Sequence, residues 1–332
     1  MDRNILIDGN NILHRAHAVF VKDRTGPDCM VSPGGYPTGL IYGVLSMLAD
    51  WIPSISHPTR MVFFLDGVPK RRLAMDPQYK FKEESDMPGK ADLPLRLSDG
   101  YEARNDLEVI IHVLKLLGAD LCHHRDEEAD DLIASYVRSH FDDMCVIISS
   151  DKDFYQLLAW SDRIVLYRPG VKGNRFFDAE RAEEDMLSRY KVRVPPSNIR
   201  MFKALTGDPS DGIVGIPRLR KRVAAPLCRF GSVDELYESD FPGFSRAERE
   251  KAATLKDRIR LNFDLVGLSD RLDLGPILQK SVPDFAAASK ILKEDLGITT
   301  VYSHIFQFGN TGKVRLSPAS SFDLLPDFLK DI

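Results

Sequence analysis

Three apolar runs in this chain stop at a carboxylate. Ile5-Leu6-Ile7 halts at Asp8, Met61-Val62-Phe63-Phe64-Leu65 halts at Asp66, and Val146-Ile147-Ile148 leads through Ser149-Ser150 to Asp151-Lys152-Asp153. Short runs of this kind read as buried parallel strands, and a helical pattern (Phe154-Tyr155-Gln156-Leu157-Leu158) follows the third at once. Strands parallel in one sheet share their carboxyl edge, where α/β proteins place their chemistry, so the three carboxylates converge there.

The rest of the pattern fits such a sheet. A helix is expected over 12–20, a loop over 22–37 with Pro33, Gly34, Gly35 and Pro37, and a second helix from Thr38 as N-cap to Trp51. Leu107, Ile110, Ile111, Leu114 and Leu117 recur at helical spacing, with Gly118 as C-cap before a short strand over 119–122. Further expectations are a strand over 163–167, a turn over 170–173 and a helix over 179–190; beyond Pro195-Pro196 the chain reads as mostly helical, with long helices over 245–264 and 284–296. The predicted organisation is a catalytic α/β domain over 1–190 and a mainly helical domain over 191–332.

Residues 67–104 have little apolar periodicity and many charges. Lys70, Arg71, Arg72, Lys80, Lys82, Lys90 and Arg96 surround Tyr79 and Phe81, which suits either a solvated loop or a lid that tracks a phosphate backbone and stacks on a base. Glu128, Asp130 and Asp131 open a helical pattern; acidic residues are favoured in any first turn, but their place between the Asp66 and Asp151 strands also suits metal binding, with Glu128 and Asp131, three apart, on one helix face and Asp130 pointing partly elsewhere, toward two neighbouring metal positions. His123 and His124, adjacent on a strand, point to opposite faces and read as ordinary polar residues.

From Arg189 to Arg222 nine cations, among them Lys203, Arg218, Arg220, Lys221 and Arg222, stand against Asp208 and Asp211. Gly212 and Gly215 lie between these carboxylates and the cationic run, so two short helices joined by a hairpin (about 199–230) fit a duplex phosphate, and a solvated charged helix is the alternative. The net charge of −4 excludes a uniformly basic nucleic-acid coat but allows local patches. Cys29, Cys122, Cys145 and Cys228 form no CxxC pair, which fits reduced thiols in the cytoplasm. No membrane span or signal peptide is expected. The apolar tail over 322–329 packs on its own domain or docks on a partner such as a sliding clamp or single-strand-binding protein.

Asp8, Asp66, Glu128, Asp130, Asp131, Asp151, Asp153, Asp208 and Asp211 can share one edge only if cations offset their repulsion. Oxygen ligands without Cys or His select hard ions, so two Mg²⁺ ions, with Mn²⁺ able to substitute, and phosphodiester hydrolysis are implied. In order and spacing, Asp8, Asp66, Glu128-Ala129-Asp130-Asp131, Ser150-Asp151-Lys152-Asp153 and Gly207-Asp208-Pro209-Ser210-Asp211 resemble the acidic motifs of the structure-specific 5′ nucleases, the flap endonuclease and 5′→3′ exonuclease group with a PIN-like fold. As a stand-alone chain it is most similar to the bacteriophage ribonuclease H and exonuclease branch.

That resemblance implies a mostly parallel central sheet flanked by helices, a helical arch over about 67–104, and a helix-hairpin-helix-like DNA grip, often with a potassium ion. It implies Arg72, Tyr79, Lys80 and Lys82 in the arch, with Lys80 at the scissile phosphate and Tyr79 stacked on a base. Asp8, Asp66, Glu128, Asp130 and Asp151 become catalytic with Lys80, and Gly212, Gly215, Arg218, Arg220, Lys221 and Arg222 contact nucleic acid. The implied substrate is 5′-ended or branched DNA, or an RNA-DNA hybrid, cut by a monomer. Two departures from the family pattern stand out: Glu83 replaces an arch arginine, and Arg218 and Arg220 replace hairpin glycines. The alternatives are a PIN-type ribonuclease, which would be shorter, and a catalytically silent binder of branched DNA, against which the intact carboxylate set stands.

Overall fold

The computed structural model describes residues 2–24, 28–52, 55, 58–80, 104–239 and 241–299. Lys82, Glu83, Arg96, most of the expected arch and the 322–329 tail lie outside them.

In chain order the first half runs β1 (Arg3–Asp8), α1 (Gly9–Phe20), α2 (Gly39–Trp51), β2 (Arg60–Leu65), α3 (Lys70–Met75), α4 (Arg104–Leu116), β3 (Asp120–His123), α5 (Ala129–Ser139), β4 (Met144–Ile148) and α6 (Tyr155–Leu158). There follow β5 (Ile164–Tyr167), β6 (Phe176–Phe177), α7 (Ala179–Tyr190), α8 (Ile199–Thr206), β7 (Gly207–Asp208), β8 (Ile213–Val214), α9 (Lys221–Ala224), α10 (Val233–Glu238), α11 (Arg246–Ala253), α12 (Lys256–Val266), β9 (Leu278–Gln279) and α13 (Phe285–Lys290). The main sheet has the order β6-β5-β4-β1-β2-β3-β9. β5, β4, β1, β2 and β3 are parallel, and only the edge strands β6 and β9 run antiparallel.

The central strands are apolar on both faces because both are covered. Ile5, Ile7, Phe63 and Val146 pack with residues of α1, α2 and α4, while Leu6, Phe64, Cys145 and Ile147 face α5 and α8. Fully burying a side chain of this size is worth about 1.5–3 kcal/mol, so the period-2 alternation ties β1, the central strand, to both layers. Asp8 and Asp66 follow the last core positions of β1 and β2, whose register pairs Asp8 with Phe64.

The expected boundary near residue 190 does not separate two cores. One cluster joins Leu6, Phe64 and Leu132 to Phe202, Leu227, Leu236 and Ile259, and β9 returns from the helical half to pair with β3. The helix expected over 245–264 is two, because Leu255 leaves helical geometry between α11 and α12. After Lys290 the expected 284–296 helix widens into a π-helical turn over Ile291–Asp295. Thr38 precedes α2 without a side-chain cap bond. Among the described residues no helix is long and apolar enough to cross a membrane.

Candidate functional site

At the carboxyl edge, strand ends and helix starts bring the carboxylates together by capping one another. Asp8 is the N-cap of α1: its Oδ1 accepts from the Asn11 backbone N–H at 3.0 Å and its Oδ2 from the Ser149 hydroxyl at 2.7 Å. Asp66 Oδ1 accepts from the Ala129 N–H at 2.7 Å and so caps α5 from a neighbouring strand, while its own N–H donates to Asn10 Oδ1 at 3.1 Å. The first turn of α5 then carries Glu128 and Asp130 into the same space. Asp151 closes it from β4, its Oδ1 accepting from the Asp153 N–H at 2.8 Å.

The electrostatics follow from this crowding. Burial, with Asp66 and Asp151 beside it, pushes the Asp8 carboxyl up to about 7. Burial likewise raises Asp66 to about 6, with Glu128 and Asp151 adding to the rise and Lys80 opposing it. Asp130 is raised well above the carboxylate range by burial and by Asp151, Asp8 and Asp66. Glu128 differs: burial alone would raise it, but Lys80 and Arg72 hold it low.

Lys80 takes a left-handed backbone (φ +55°), donates its N–H to the Asp211 carbonyl at 2.9 Å, and sets Nζ 2.6 Å from Glu128 Oε1 and 3.8 Å from Asp211 Oδ1. The expected neighbours of Lys80 behave otherwise. Arg72 is buried and does not face a nucleic acid: it donates to both Asp131 oxygens (2.5 and 2.9 Å), to Glu128 Oε2 at 2.5 Å, and to the carbonyls of Leu265 and Gly267. Arg72 thereby takes both Asp131 oxygens, which sets this carboxylate apart from Asp8, Asp66 and Asp130. The Asp131 carboxylate is fully buried and also accepts from Arg71 and from the Ser269 N–H at 2.7 Å. Tyr79, expected to stack on a base, packs instead with Ile213, Leu265 and Val266, its hydroxyl 3.4 Å from Glu128.

Asp153, Asp208 and Asp211 form a second group, with carboxylate oxygens within 4.8 Å of one another. Lys203 on α8 inserts its ammonium between Asp153 and Asp208, 2.6 Å from the latter's Oδ2, and Ser210 donates to Asp208 through both its N–H and its hydroxyl. The hairpin of β7 and β8 carries two of these acids. It closes tightly because Gly207 and Gly215 meet backbone to backbone: a Cβ on Gly215 would lie 2.3 Å from the Gly207 nitrogen. Gly215 therefore has a packing role, whereas Gly212 is exposed at φ +72°. Arg218, Arg220, Lys221 and Arg222 are exposed, with Arg220 3.6 Å from Glu248; Arg218 keeps the left-handed φ (+63°) that favours glycine.

Sequence reading missed Lys203 and the polar supports Asn10, Asn11 and Ser149. Lys203 looked like one cation in a basic run. Its signal was the spacing to Asp208, which places it one helical turn before the hairpin. The two asparagines follow Asp8 directly, and a side chain next to a capping carboxylate is a candidate to orient it.

A family model described as the 5′-3′ exonuclease N-terminal, resolvase-like domain matches residues 3–187. The chain belongs to the 5′-3′ exonuclease family. The 5′-3′ exonuclease of Aquifex aeolicus (strain VF5) is 28% identical over 274 residues, spanning 81% of this nuclease and 82% of that protein. The corresponding protein of Buchnera aphidicola subsp. Baizongia pistaciae (strain Bp) is 26% identical over 274 residues, spanning 81% and 80%. DNA polymerase I of Lactococcus lactis subsp. cremoris (strain MG1363) is 26% identical over 300 residues, and the nuclease spans only 30% of that longer protein.

Among solved structures, bacteriophage T5 5′-exonuclease with bound zinc aligns at TM-score 0.59 and 20% identity, covering 80% of the nuclease and 90% of that chain. Flap endonuclease-1 from Methanococcus jannaschii aligns at 0.51 and 17%, covering 92% and 90%. These likenesses bear out the α/β fold with its mostly parallel sheet. Family membership places the chain among 5′ nucleases, hydrolases of phosphodiester bonds. Its site fits divalent cations: Asp8, buried, and Asp66 and Asp130, half-buried, are oxygen donors whose charge no described side chain neutralises by direct ion pairing.

Proposed function

We propose that the nuclease uses Mg²⁺, with Mn²⁺ able to substitute, to hydrolyse phosphodiester bonds at 5′ flaps and 5′ ends of DNA and at RNA primers in RNA-DNA hybrids. The observation that carries this reading is the meeting of Asp8, Asp66, Glu128, Asp130 and Asp151 at one sheet edge with the Lys80 ammonium beside them. These five carboxylates would hold one ion, and Asp153, Asp208 and Asp211 a second. Bound ions would lower the pKa of water and offset charge on the leaving oxygen.

The chain's own residues supply the rest. Ser149 and Asn11 fix the Asp8 carboxylate, the α5 N-terminus fixes Asp66, and Arg72 fixes the face of Glu128 away from Lys80. Lys80 sets a positive charge beside the position where a transferred phosphate gains negative charge. Residues 191–299 act as the duplex-holding unit, with the 207–215 hairpin and Arg218, Arg220, Lys221 and Arg222 at the backbone. Potassium or the Arg218 cation supplies the charge at that turn. The reading includes a cytoplasmic monomer, whose 322–329 tail packs on its own domain or docks on a clamp or single-strand-binding protein.

The test is cleavage of labelled 5′-flap, nicked-duplex and RNA-DNA hybrid substrates across a Mg²⁺ titration. Cleavage at the junction that rises with Mg²⁺ and stops in EDTA is expected. Full cleavage in EDTA, or none of the three substrates cut at any metal concentration, sinks the reading.

A further inference from the structure

A cleft of about 700 Å³ opens beside Asp151, on the side that faces α7 rather than the Lys80 turn, and Lys152, Arg168, Arg189, Tyr190 and Lys221 are among the residues that line it. Asp151 and Asp208 line it too, and three of its cations are already committed: Lys203 pairs with Asp153 and Asp208. Lys152 lies 2.7 Å from Asp185, and Arg168 lies 3.5 Å from the same carboxylate while donating to the Tyr155 hydroxyl at 2.6 Å. Arg189 and Lys221 are not: among the described residues neither has a carboxylate within ion-pair distance.

What holds them is an aromatic ring. The Lys221 ammonium sits 3.9 Å from the centre of the Tyr190 ring and the Arg189 guanidinium 5.7 Å from it, so one tyrosine gathers two like charges. Burial lowers the Lys221 pKa and Arg189 lowers it further; Lys152 is also lowered, first by burial and then, against Asp185, by Arg168 and Arg189. Cations that repel one another at the rim of a cleft, next to an acidic centre, are the converse of the carboxylate cluster. The missing counter-charge here is an anion.

We propose that this cleft is a phosphate-backbone subsite, in which Arg189 and Lys221, held by Tyr190, take consecutive phosphates of the cut strand on the side of Asp151 opposite Lys80. The strand then passes over the carboxylates between two cationic supports, the Lys80 turn and the end of α7. This deepens the nuclease reading and rests on it.

The experiment measures binding of a 5′-flap oligonucleotide duplex in EDTA across a salt series, and cleavage kinetics in Mg²⁺, for wild type, Arg189→Ala, Lys221→Ala and Arg193→Ala. Arg193 is the control: it is exposed and pairs with Glu183 at 3.3 Å. Each cleft substitution is expected to weaken binding about tenfold, to lower the slope of log K against log salt by about 0.7–0.9, and to raise KM with kcat held. Arg193→Ala should change none of these. Substrates shortened on one side or the other of the scissile bond complete the test, and the Arg189→Ala defect should vanish with only one truncation. Unchanged affinity and slope in both cleft variants, or a defect that persists equally on both truncated substrates, overturns the subsite. If wild type cuts the flap, that result leaves the nuclease reading standing; a wild type that cuts nothing removes the reading itself.

Discussion

The carboxylates at the ends of β1, β2 and α5 and those of the Asp153, Asp208 and Asp211 group differ in what neutralises them. Asp8, Asp66 and Asp130 hold hydrogen bonds or crowd one another, and among the described residues none forms an ion pair; each is pushed up toward its protonated form. Asp208, although burial would raise it, is held below the usual range by Lys203 and by Ser210. Asp8, Asp66 and Asp130 thus depend on an external cation, whereas Asp153 and Asp208 carry their own in Lys203 and Asp211 is raised by burial. Ion binding is therefore strongly driven in the first half and competitive with a lysine in the second.

Substitutions on the two sides should separate them most. Asp66→Asn keeps an acceptor for the Ala129 N–H, so the fold survives, but it removes a ligand charge where nothing replaces it. A fall in kcat on the order of a thousandfold is expected in the 5′-flap assay. Asp208→Asn leaves Asp153 and Asp211 with Lys203 and should raise the Mg²⁺ requirement roughly ten- to hundredfold, with most of kcat recovered at high Mg²⁺. Equal losses that no metal concentration repairs would erase the distinction.

Lys203→Met sharpens the comparison from the other direction. It strips the partner from two nearly buried carboxylates, and breaking such a pair costs about 3 kcal/mol. Tm in EDTA should fall, and the Tm gain on adding Mg²⁺ should exceed that of wild type, because the second half then resembles the first. A variant as stable as wild type in EDTA would show that the lysine is not the counter-charge.

pH acts chiefly on the first half, although burial also raises Asp211 in the second. Asp8 titrates near 7 and Asp66 near 6 in the native state, both above the unfolded aspartate value of about 3.9. Between about pH 4 and 7 the native chain holds protons that the unfolded chain has released, so this part of native stability declines as pH rises through that window. Metal-free Tm is expected to be about 5 °C lower at pH 8 than at pH 5.5, and Mg²⁺ should recover it at pH 8 more than at pH 5.5, where protons compete. The lowered groups, Glu128 and Asp208, act in the opposite sense only below this range. A metal-free Tm that rises with pH over the same interval contradicts the account.

The first half of the site was the more legible in sequence, for a physical reason. Strand ends are marked by where an apolar run stops, so Asp8, Asp66 and Asp151 followed from the pattern, and parallel pairing made them neighbours. Side-chain direction was legible only in part: the spacing put Glu128 and Asp131 on one helix face and Asp130 elsewhere, but not the Arg72 that they meet there. Asp131 lies one residue from Asp130, yet helical geometry turns it onto the face that meets Arg72, so adjacent acids of one motif part company. Arg72 and Tyr79 looked like surface cation and aromatic because their partners, the carbonyls of Leu265 and Gly267 and the side chain of Ile213, come from distant parts of the chain. β9 was missed for a similar reason, since a two-residue strand has no period to read.

The smallest expected effect concerns the turn after the second half. Arg218 adopts φ +63°, which costs a non-glycine residue about 1 kcal/mol, and among the described residues it has no ion pair to offset that cost. Arg218→Gly relieves the backbone but gives the unfolded chain more freedom, so stability should change by less than about 1 kcal/mol in either direction. If the arginine is kept for its charge, the same substitution should lower the salt slope of duplex binding by about 0.9 and leave kcat unaltered. It should also make binding respond to potassium if glycine reopens the turn to a monovalent ion. A variant that binds duplex DNA as wild type does, at every salt concentration and in either sodium or potassium, would mean that the fixed charge at this turn does not touch the backbone, leaving Lys221 and Arg222 to carry that side of the grip.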